Sequence, residues 1–413
     1  MIRFILAIYE LIWLVCLPVL FFVPKLKDKW SERLLIRRKE KGPFDIWMHA
    51  ASVGECYIML ELASHLKGLN IIATTNTAQG REILKKGSKG NLYIRYLPFD
   101  LSFVLKKALS MWKPKLVILI ETELWPALLY TCKREDIPVL VINGRLSERS
   151  FKIYEKFKVL WKKLSPVMIY AISEEDAKRY KSIFGEERVK VMSNIKFDRI
   201  KLDNLENNPV KGLIPRQRKI VVLGSVRKEE EQDLLWVIQA VLKVLPNCTI
   251  ALFPRHLERV SWWTKALKER NISYKLRSEI ADSSWRADVL VWDRVGELKL
   301  AYSIADSVFV GGSLRPCGGH NFLEPLIFGI IPCVGPFIEN FNWVGSFLFD
   351  ERLVLVVKDK KELVRCLVHR AIDEVDREVV KKRFQTFLAS KRGGTKTALG
   401  VISKFLKKEF KNE

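Results

Sequence analysis

The sequence predicts two doubly wound α/β domains preceded by an apolar N-terminal helix. Three observations predict this. From Phe44 on, short apolar runs alternate with longer helical stretches. A stretch rich in Asn, Pro and Gly interrupts the alternation after residue 203. A second series of the same kind then follows. Strands that are apolar throughout are covered on both faces, as in a parallel sheet sandwiched between helices. A chain of 413 residues also exceeds the usual size of one domain and suits two.

The first element is Phe4 to Val23, which carries a single charge, Glu10. As a helix it just reaches across a hydrocarbon core of ~30 Å. Lys25, Lys27, Lys29, Arg33, Arg37, Arg38 and Lys39 follow it. Positive charge after a span places the next domain on the cytoplasmic side of an inner membrane. A cleaved signal peptide is disfavoured, because its positive flank would precede the apolar run. Glu10 and Pro18 leave a second arrangement open, in which the helix lies in the interface or docks an apolar patch on the membrane. Residues 1–40 are therefore assigned to a membrane anchor with a basic flank.

The first domain, 41–203, reads as strands at 44–50, 70–75, 92–98, 116–121, 138–144 and 167–173, with helices between them. Residues 204–218 contain Asn204, Asn207, Asn208, Pro209, Gly212 and Pro215 and form the linker. The second domain, 219–413, has strands at 219–225, 249–255, 288–293, 306–312 and 330–336. It ends in basic helices after Lys360, a solvated face or a contact for lipid headgroups. Two doubly wound domains place a cleft at the carboxyl ends of their strands.

The net charge of +24 calls for anionic partners: nucleic acid, phosphorylated substrates or an acidic membrane. Nucleic acid is disfavoured, since the basic residues are spread out and the aromatics fall mainly in strands and the anchor. The seven cysteines show no CxxC pair and no zinc-like spacing with histidine, so reduced, mostly buried thiols are expected.

Chemistry-bearing residues cluster at strand ends. His49-Ala-Ala-Ser-Val-Gly-Glu55 is a tight turn from strand to helix. Glu55 either complements the helix dipole or serves as a general base at the cleft floor. Glu121-Thr-Glu123-Leu-Trp-Pro126 sets two more carboxylates after a buried strand. Thr122 is a candidate cap, and Pro126 suits an early helical position. In the second domain, Gly311-Gly-Ser-Leu-Arg-Pro-Cys-Gly318-Gly319-His320-Asn321 runs into Phe322, Leu323 and Glu324. Its backbone N–H groups and helix N-terminus read as a phosphate cradle, with Glu324 placed for ribose hydroxyls. No GKS or GKT follows, so it is not a P-loop. Ser225, Arg255, His256, Gly296, Glu297 and Leu298 end other strands of that sheet. His256 alone reads as structural; beside Arg255 it is a candidate for phosphate or base.

Taken in order, HAASVGE, ETELWP, NGRLS, SNIKFD, GSVRKEEE, PRHLER, GEL and GGHNFLEP resemble the 3-deoxy-D-manno-octulosonic acid (Kdo) transferase family. The resemblance covers about residues 47–330. It implies a GT-B glycosyltransferase, with the acceptor in the N-terminal domain and CMP-Kdo in the C-terminal one. It implies inverting transfer to a hydroxyl of the lipid A precursor, lipid IVA, in lipopolysaccharide synthesis. CMP-Kdo is the donor substrate; neither a metal nor a cofactor is expected. By position, Glu55 becomes the general base, with Glu123 and Lys196 supporting the transition state. The donor set becomes Ser225, Arg255, His256, Gly296, Glu297, Leu298, Gly318, Gly319, His320, Asn321, Phe322, Leu323 and Glu324. Lys196 or Arg145 is available for the Kdo carboxylate.

Overall fold

The computed structural model describes residues 2–21, 29–36, 42–88, 90–202, 208–215, 218–373 and 375–409. They divide into two compact units. One comprises the chain up to Ile200 together with the segment from Lys391 on; the other is Lys201–Ser390.

Among the described residues, the first unit holds seven strands: β1 (Ile46–Ala50), β2 (Ile71–Thr75), β3 (Leu92–Tyr96), β4 (Leu116–Ile120), β5 (Val139–Gly144), β6 (Met168–Ala171) and β7 (Val189–Val191). All pair in parallel, in the order β3-β2-β1-β4-β5-β6-β7. Alternate residues of each strand feed two cores. Trp47, Ile72, Val117 and Leu119 join one, against the helices Ser102–Trp112 and Pro126–Arg134. Ile46, Met48, Ile71, Leu116 and Ile118 join the other, against helix Val53–His65. This is the period of two that a sheet imposes on side chains.

The sequence reading placed the terminal helices entirely in the second domain, and the structure corrects this. Helix Gly394–Glu409 buries Ala398, Ile402 and Leu406 in the second of those cores. Asp198 accepts from the backbone N–H of Gly393 (2.8 Å) and Thr395 (2.6 Å) at the start of that helix. A Cβ on Gly394 would come within 2.2 Å of the Ser193 carbonyl oxygen, so glycine is required there.

The second unit holds β8 (Lys219–Val226), β9 (Cys248–Pro254), β10 (Tyr274–Leu276), β11 (Val289–Val291), β12 (Ser307–Val310), β13 (Cys333–Val334) and β14 (Leu355–Val356). They form a parallel sheet in the order β10-β11-β9-β8-β12-β13-β14. Cys333 and Cys366 are joined as a disulfide, against the expectation of reduced thiols throughout; Cys16, Cys56, Cys132, Cys248 and Cys317 are free.

The N-terminal segment is a helix, Ile2–Phe21. Among the described residues, no helix is long and apolar enough to cross a membrane. One side of this helix packs on the first unit. Leu6 is buried there, and Tyr9 Oη donates to Asp100 Oδ2 at 2.8 Å. Glu10 accepts from the Ser102 backbone N–H at 3.1 Å. Its charge is therefore a docking contact with the sheet unit. Phe4, Ile8, Leu11, Ile12, Leu14 and Val15 remain exposed. Of the basic flank, Lys25, Lys27, Arg37, Arg38 and Lys39 lie outside the described residues. Arg33 is buried, donating to the carbonyls of Leu97 and Asn76, both at 2.9 Å.

Candidate active site

In the first unit the strand order reverses between β1 and β4, the usual position for a site in a doubly wound sheet. The residues following both strands are the ones the sequence singled out. After β1, Ser52 caps helix Val53–His65 and its hydroxyl donates to Glu55 Oε1 at 2.7 Å. The Ala51 backbone N–H donates to Glu55 Oε2 at 2.8 Å. This Ser-x-x-Glu arrangement is close to a capping box, so the helix-start reading of Glu55 holds geometrically. The carboxylate is 8% exposed. Burial raises its pKa, the Ser52 and Ala51 hydrogen bonds oppose that rise, and the charges of Glu121 and Glu123 add to it. Capping and proton acceptance are thus compatible: the cap fixes the group, and burial beside two acids makes it more basic than an exposed glutamate.

After β4 the two acids separate in role. Glu121 has a backbone φ of +60°, a left-handed conformation that costs energy in a non-glycine residue. Its Oε1 accepts from Lys196 Nζ at 2.7 Å. Glu123 Oε2 lies 3.2 Å from His49 Nε2 and accepts from Trp125 Nε1 at 3.0 Å. Lys196 sits on the short helix Ile195–Asp198, which Asn194 caps and which Asn143 ties to β5 by accepting from the Ile195 N–H at 2.9 Å. Tyr180, fully buried, donates toward the carbonyls of Arg145 (3.2 Å) and Glu121 (3.4 Å). Thr122 donates its hydroxyl to the same Arg145 carbonyl instead of capping the next helix.

In the second unit the reversal falls between β8 and β12. Here the glycine-rich turn differs from its sequence reading. The backbone N–H groups of Gly312, Ser313 and Leu314 donate to the carboxylate of Glu230, at 2.6, 2.9 and 2.8 Å. Glu230 is fully buried. Those of Gly311, Gly319 and His320 go to the carbonyls of Gly224, Gly312 and Gly311. Much of the expected phosphate cradle is thus occupied by the protein's own carboxylate and carbonyls. The helix after it, Leu323–Ile327, has only five residues and so a weak dipole.

What remains available is a mixed set: exposed side chains led by Arg255, a neutral imidazole and the backbone of tight turns. The ring of His320 backs against Gly312, and its buried Nε2 has no hydrogen-bond partner among the described residues. Burial and the nearby Arg255, Arg227 and His256 hold its pKa down at about 4. Arg255 and His256 are exposed beyond β9. Ser225, the penultimate residue of β8, has φ +55° and is half-buried. Gly318 and Gly319, at φ +84° and +78°, turn the chain past Asn340 and Ile338. Asn321 Nδ2 donates to Glu324 Oε1 at 2.9 Å, and burial raises the Glu324 pKa against that bond. Phe322 and Leu323 are buried, Phe322 against Phe341 and Phe349, so only their backbones can meet a ligand. Gly296 is exposed at φ +96°. The Glu297 carboxylate beside it is held by Arg277 (2.8 and 3.1 Å) and Trp292 Nε1 (2.7 Å), which fixes the turn into Leu298.

A hollow of about 1800 Å³ in this unit lies at the other ends of the strands, near Lys219, Asn247 and Asp306. It adjoins none of these groups. Sequence reasoning missed His49, Glu121 as the partner of Lys196, Asn143, Tyr180 and Glu230. His49, Glu121, Asn143 and Glu230 stood within quoted motifs, Glu230 as one of three consecutive glutamates; Tyr180, inside a helix away from any motif, had no signal of its own.

Two such parallel sheets in one chain are the architecture of GT-B glycosyltransferases. A glycosyltransferase from Rickettsia africae aligns over 89% of this chain and 99% of its own, at a TM-score of 0.58 and 12% identity, a likeness of fold alone. The family profile described as 3-Deoxy-D-manno-octulosonic-acid transferase (kdotransferase) matches residues 28–199. A 3-deoxy-D-manno-octulosonic acid transferase of Haemophilus influenzae is 31% identical over 97% of this chain and 98% of its own. A bifunctional glycosyltransferase/methyltransferase of Fusobacterium nucleatum is 30% identical over 78% of this chain and 52% of its own. The chain belongs to the 3-deoxy-D-manno-octulosonic acid transferase family.

Proposed function

We propose that the protein transfers Kdo from CMP-Kdo to a hydroxyl of the lipid A precursor, lipid IVA, with inversion and without a metal. The observation that carries this reading is Glu55: a buried carboxylate at the β1–β4 switch point, made more basic by burial and by Glu121 and Glu123. The acceptor hydroxyl is a poor nucleophile until its proton is taken, and Glu55 takes it. The oxygen then bonds to the anomeric carbon as the bond from that carbon to phosphate breaks, and CMP leaves. Arg255 and His256 face the charge that grows on the phosphate. Glu123 and Lys196 orient the acceptor and the reacting sugar. Ser225, the Gly296–Leu298 turn and the Gly318–Glu324 turn hold the nucleotide, Phe322 and Leu323 through their backbones alone.

The exposed apolar face of helix Ile2–Phe21 supports attachment to the cytoplasmic face of the inner membrane by lying in the interface. Membrane lipids and an anionic lipid acceptor suit the charge of +24.

The test is transfer of sugar by the purified protein to a tetraacylated lipid A precursor, with CMP-Kdo as donor and EDTA present. Product carrying Kdo is expected. Activity with magnesium but none with EDTA overturns metal independence. No product under either condition overturns the donor or acceptor assignment, and UDP-sugars are then the next donors to screen.

A further inference from the structure

His49 lies near the end of β1 and is fully buried. A buried ring nitrogen is costly unless it is hydrogen-bonded, and both nitrogens here have partners. Nδ1 is 3.1 Å from the carbonyl and 3.1 Å from the hydroxyl of Thr74, its register partner on β2. Nε2 is 3.2 Å from Glu123 Oε2, beyond the end of β4. Trp47, two residues earlier on the same face, donates its Nε1–H to the Thr74 hydroxyl at 2.8 Å. A polar chain therefore runs from Trp47 through Thr74 and His49 to Glu123, on a sheet face otherwise filled by apolar side chains.

The protonation of Nε2 can be placed by elimination. Glu123 Oε2 already accepts from the indole of Trp125, which has no other role than donor. Two acceptors would repel at 3.2 Å, so Nε2 carries a proton and donates it; Nδ1 faces the Thr74 carbonyl and a hydroxyl that itself donates to the Met48 carbonyl at 3.3 Å, so Nδ1 is placed to donate as well. Both hydrogen bonds to Glu123 among the described residues fall on Oε2.

Resting on the reading that Glu123 serves the acceptor and the reacting sugar, we propose that His49 is a positioning residue. It fixes Oε2 of Glu123 through its Nε2–H and thereby aims Oε1 at the substrate. The role is distinct from filling the core: a core residue would be replaceable by any side chain of similar volume, whereas this one needs a donor at the Nε2 position.

Three measurements on the full-length protein test it. In protein labelled with 15N-histidine, the His49 signal, assigned by its loss in His49→Gln, should show a protonated Nε2, and Glu123→Ala should shift it. His49→Leu should lower kcat about 10- to 100-fold, the range for losing a hydrogen bond to a charged group, with the KM for CMP-Kdo unchanged. His49→Gln, which returns an N–H to the Nε2 position, should recover most of the turnover. An unprotonated Nε2 overturns the proposal. So does wild-type turnover in His49→Leu, or a Gln variant as slow as the Leu variant. If His49→Leu does not fold, the labelled spectrum and the Gln variant still decide. Full turnover in Glu123→Ala would instead overturn the reading of Glu123. Full turnover in His49→Leu beside a crippled Glu123→Ala overturns the positioning role alone.

Discussion

At the end of β4 a carboxylate, Glu121, sits on a left-handed backbone and is met by Lys196. Beside the end of β12 another, Glu230, is held inward by three backbone N–H groups of a glycine-rich turn. Both places sit at the switch point of a parallel sheet. In the first unit the chain presents charge to whatever binds there, and the backbone does the positioning. In the second, the backbone amides are occupied by an internal anion, and exposed cations are left to face the ligand. A glycine-rich turn after a strand therefore has two physical meanings: it can wrap a bound phosphate or wrap a buried carboxylate of its own chain.

The contrast can be broken by substitution. The largest effect is expected at Glu55. Glu55→Ala should lower turnover by about 10²- to 10⁴-fold, the range for loss of a general base. CMP binding, measured by calorimetry, should persist, because the nucleotide groups lie in the other unit. Loss of CMP binding in a folded Glu55→Ala protein would remove it from the role of base. Glu230→Ala comes next. It leaves the N–H groups of Gly312, Ser313 and Leu314 buried without an acceptor, and each such group costs about 1–3 kcal/mol. Denaturant unfolding should show the second unit weakened by several kcal/mol and the first untouched. An unchanged second transition would mean the turn re-pairs elsewhere. Arg255→Ala should weaken CMP affinity about tenfold, with little change in stability, since the side chain is exposed. Unchanged affinity would move the nucleotide away from the end of β9.

Most of the sheet strands, the two-unit division and most of the acid cluster were legible in the sequence, for a definite reason. Central parallel strands are apolar throughout, β4 at every position and β1 at all but His49, and their ends are marked by small or charged residues. The short strands β7, β10 and β14, of two or three residues each, escaped because nothing periodic fits in so few positions. All three are sheet edges. The docking of helix Gly394–Glu409 on the first unit escaped for another reason. Its apolar stripe of Ala398, Ile402 and Leu406 shows that it packs on something, and only the fold says on what. The site residues split the same way. Glu55, Glu123 and Lys196 stand at strand ends where composition is unusual. Glu230 looks like one of three surface glutamates until the turn closes over it.

The smallest expected effect tests whether the acids of the first unit act together. Burial is the main cause of the raised Glu55 pKa, and the charge of Glu121 adds to it. Glu55 acts as a base only when ionised, so turnover should rise with pH through its pKa, and that acid limb should lie above the ordinary glutamate value. Glu121→Gln removes one negative charge. Ionising Glu55 then costs less, its pKa falls, and the acid limb of the pH–rate profile should move to lower pH by a fraction of a unit. Lys196 loses its partner in the same variant, so kcat at the plateau should fall as well. The two effects are separable, because the plateau reports Lys196 and the limb reports Glu55. A limb that stays in place while the plateau drops would mean that burial alone sets the basicity of Glu55. A limb that moves upward would mean that the charge of Glu121 is not among the causes of the raised Glu55 pKa.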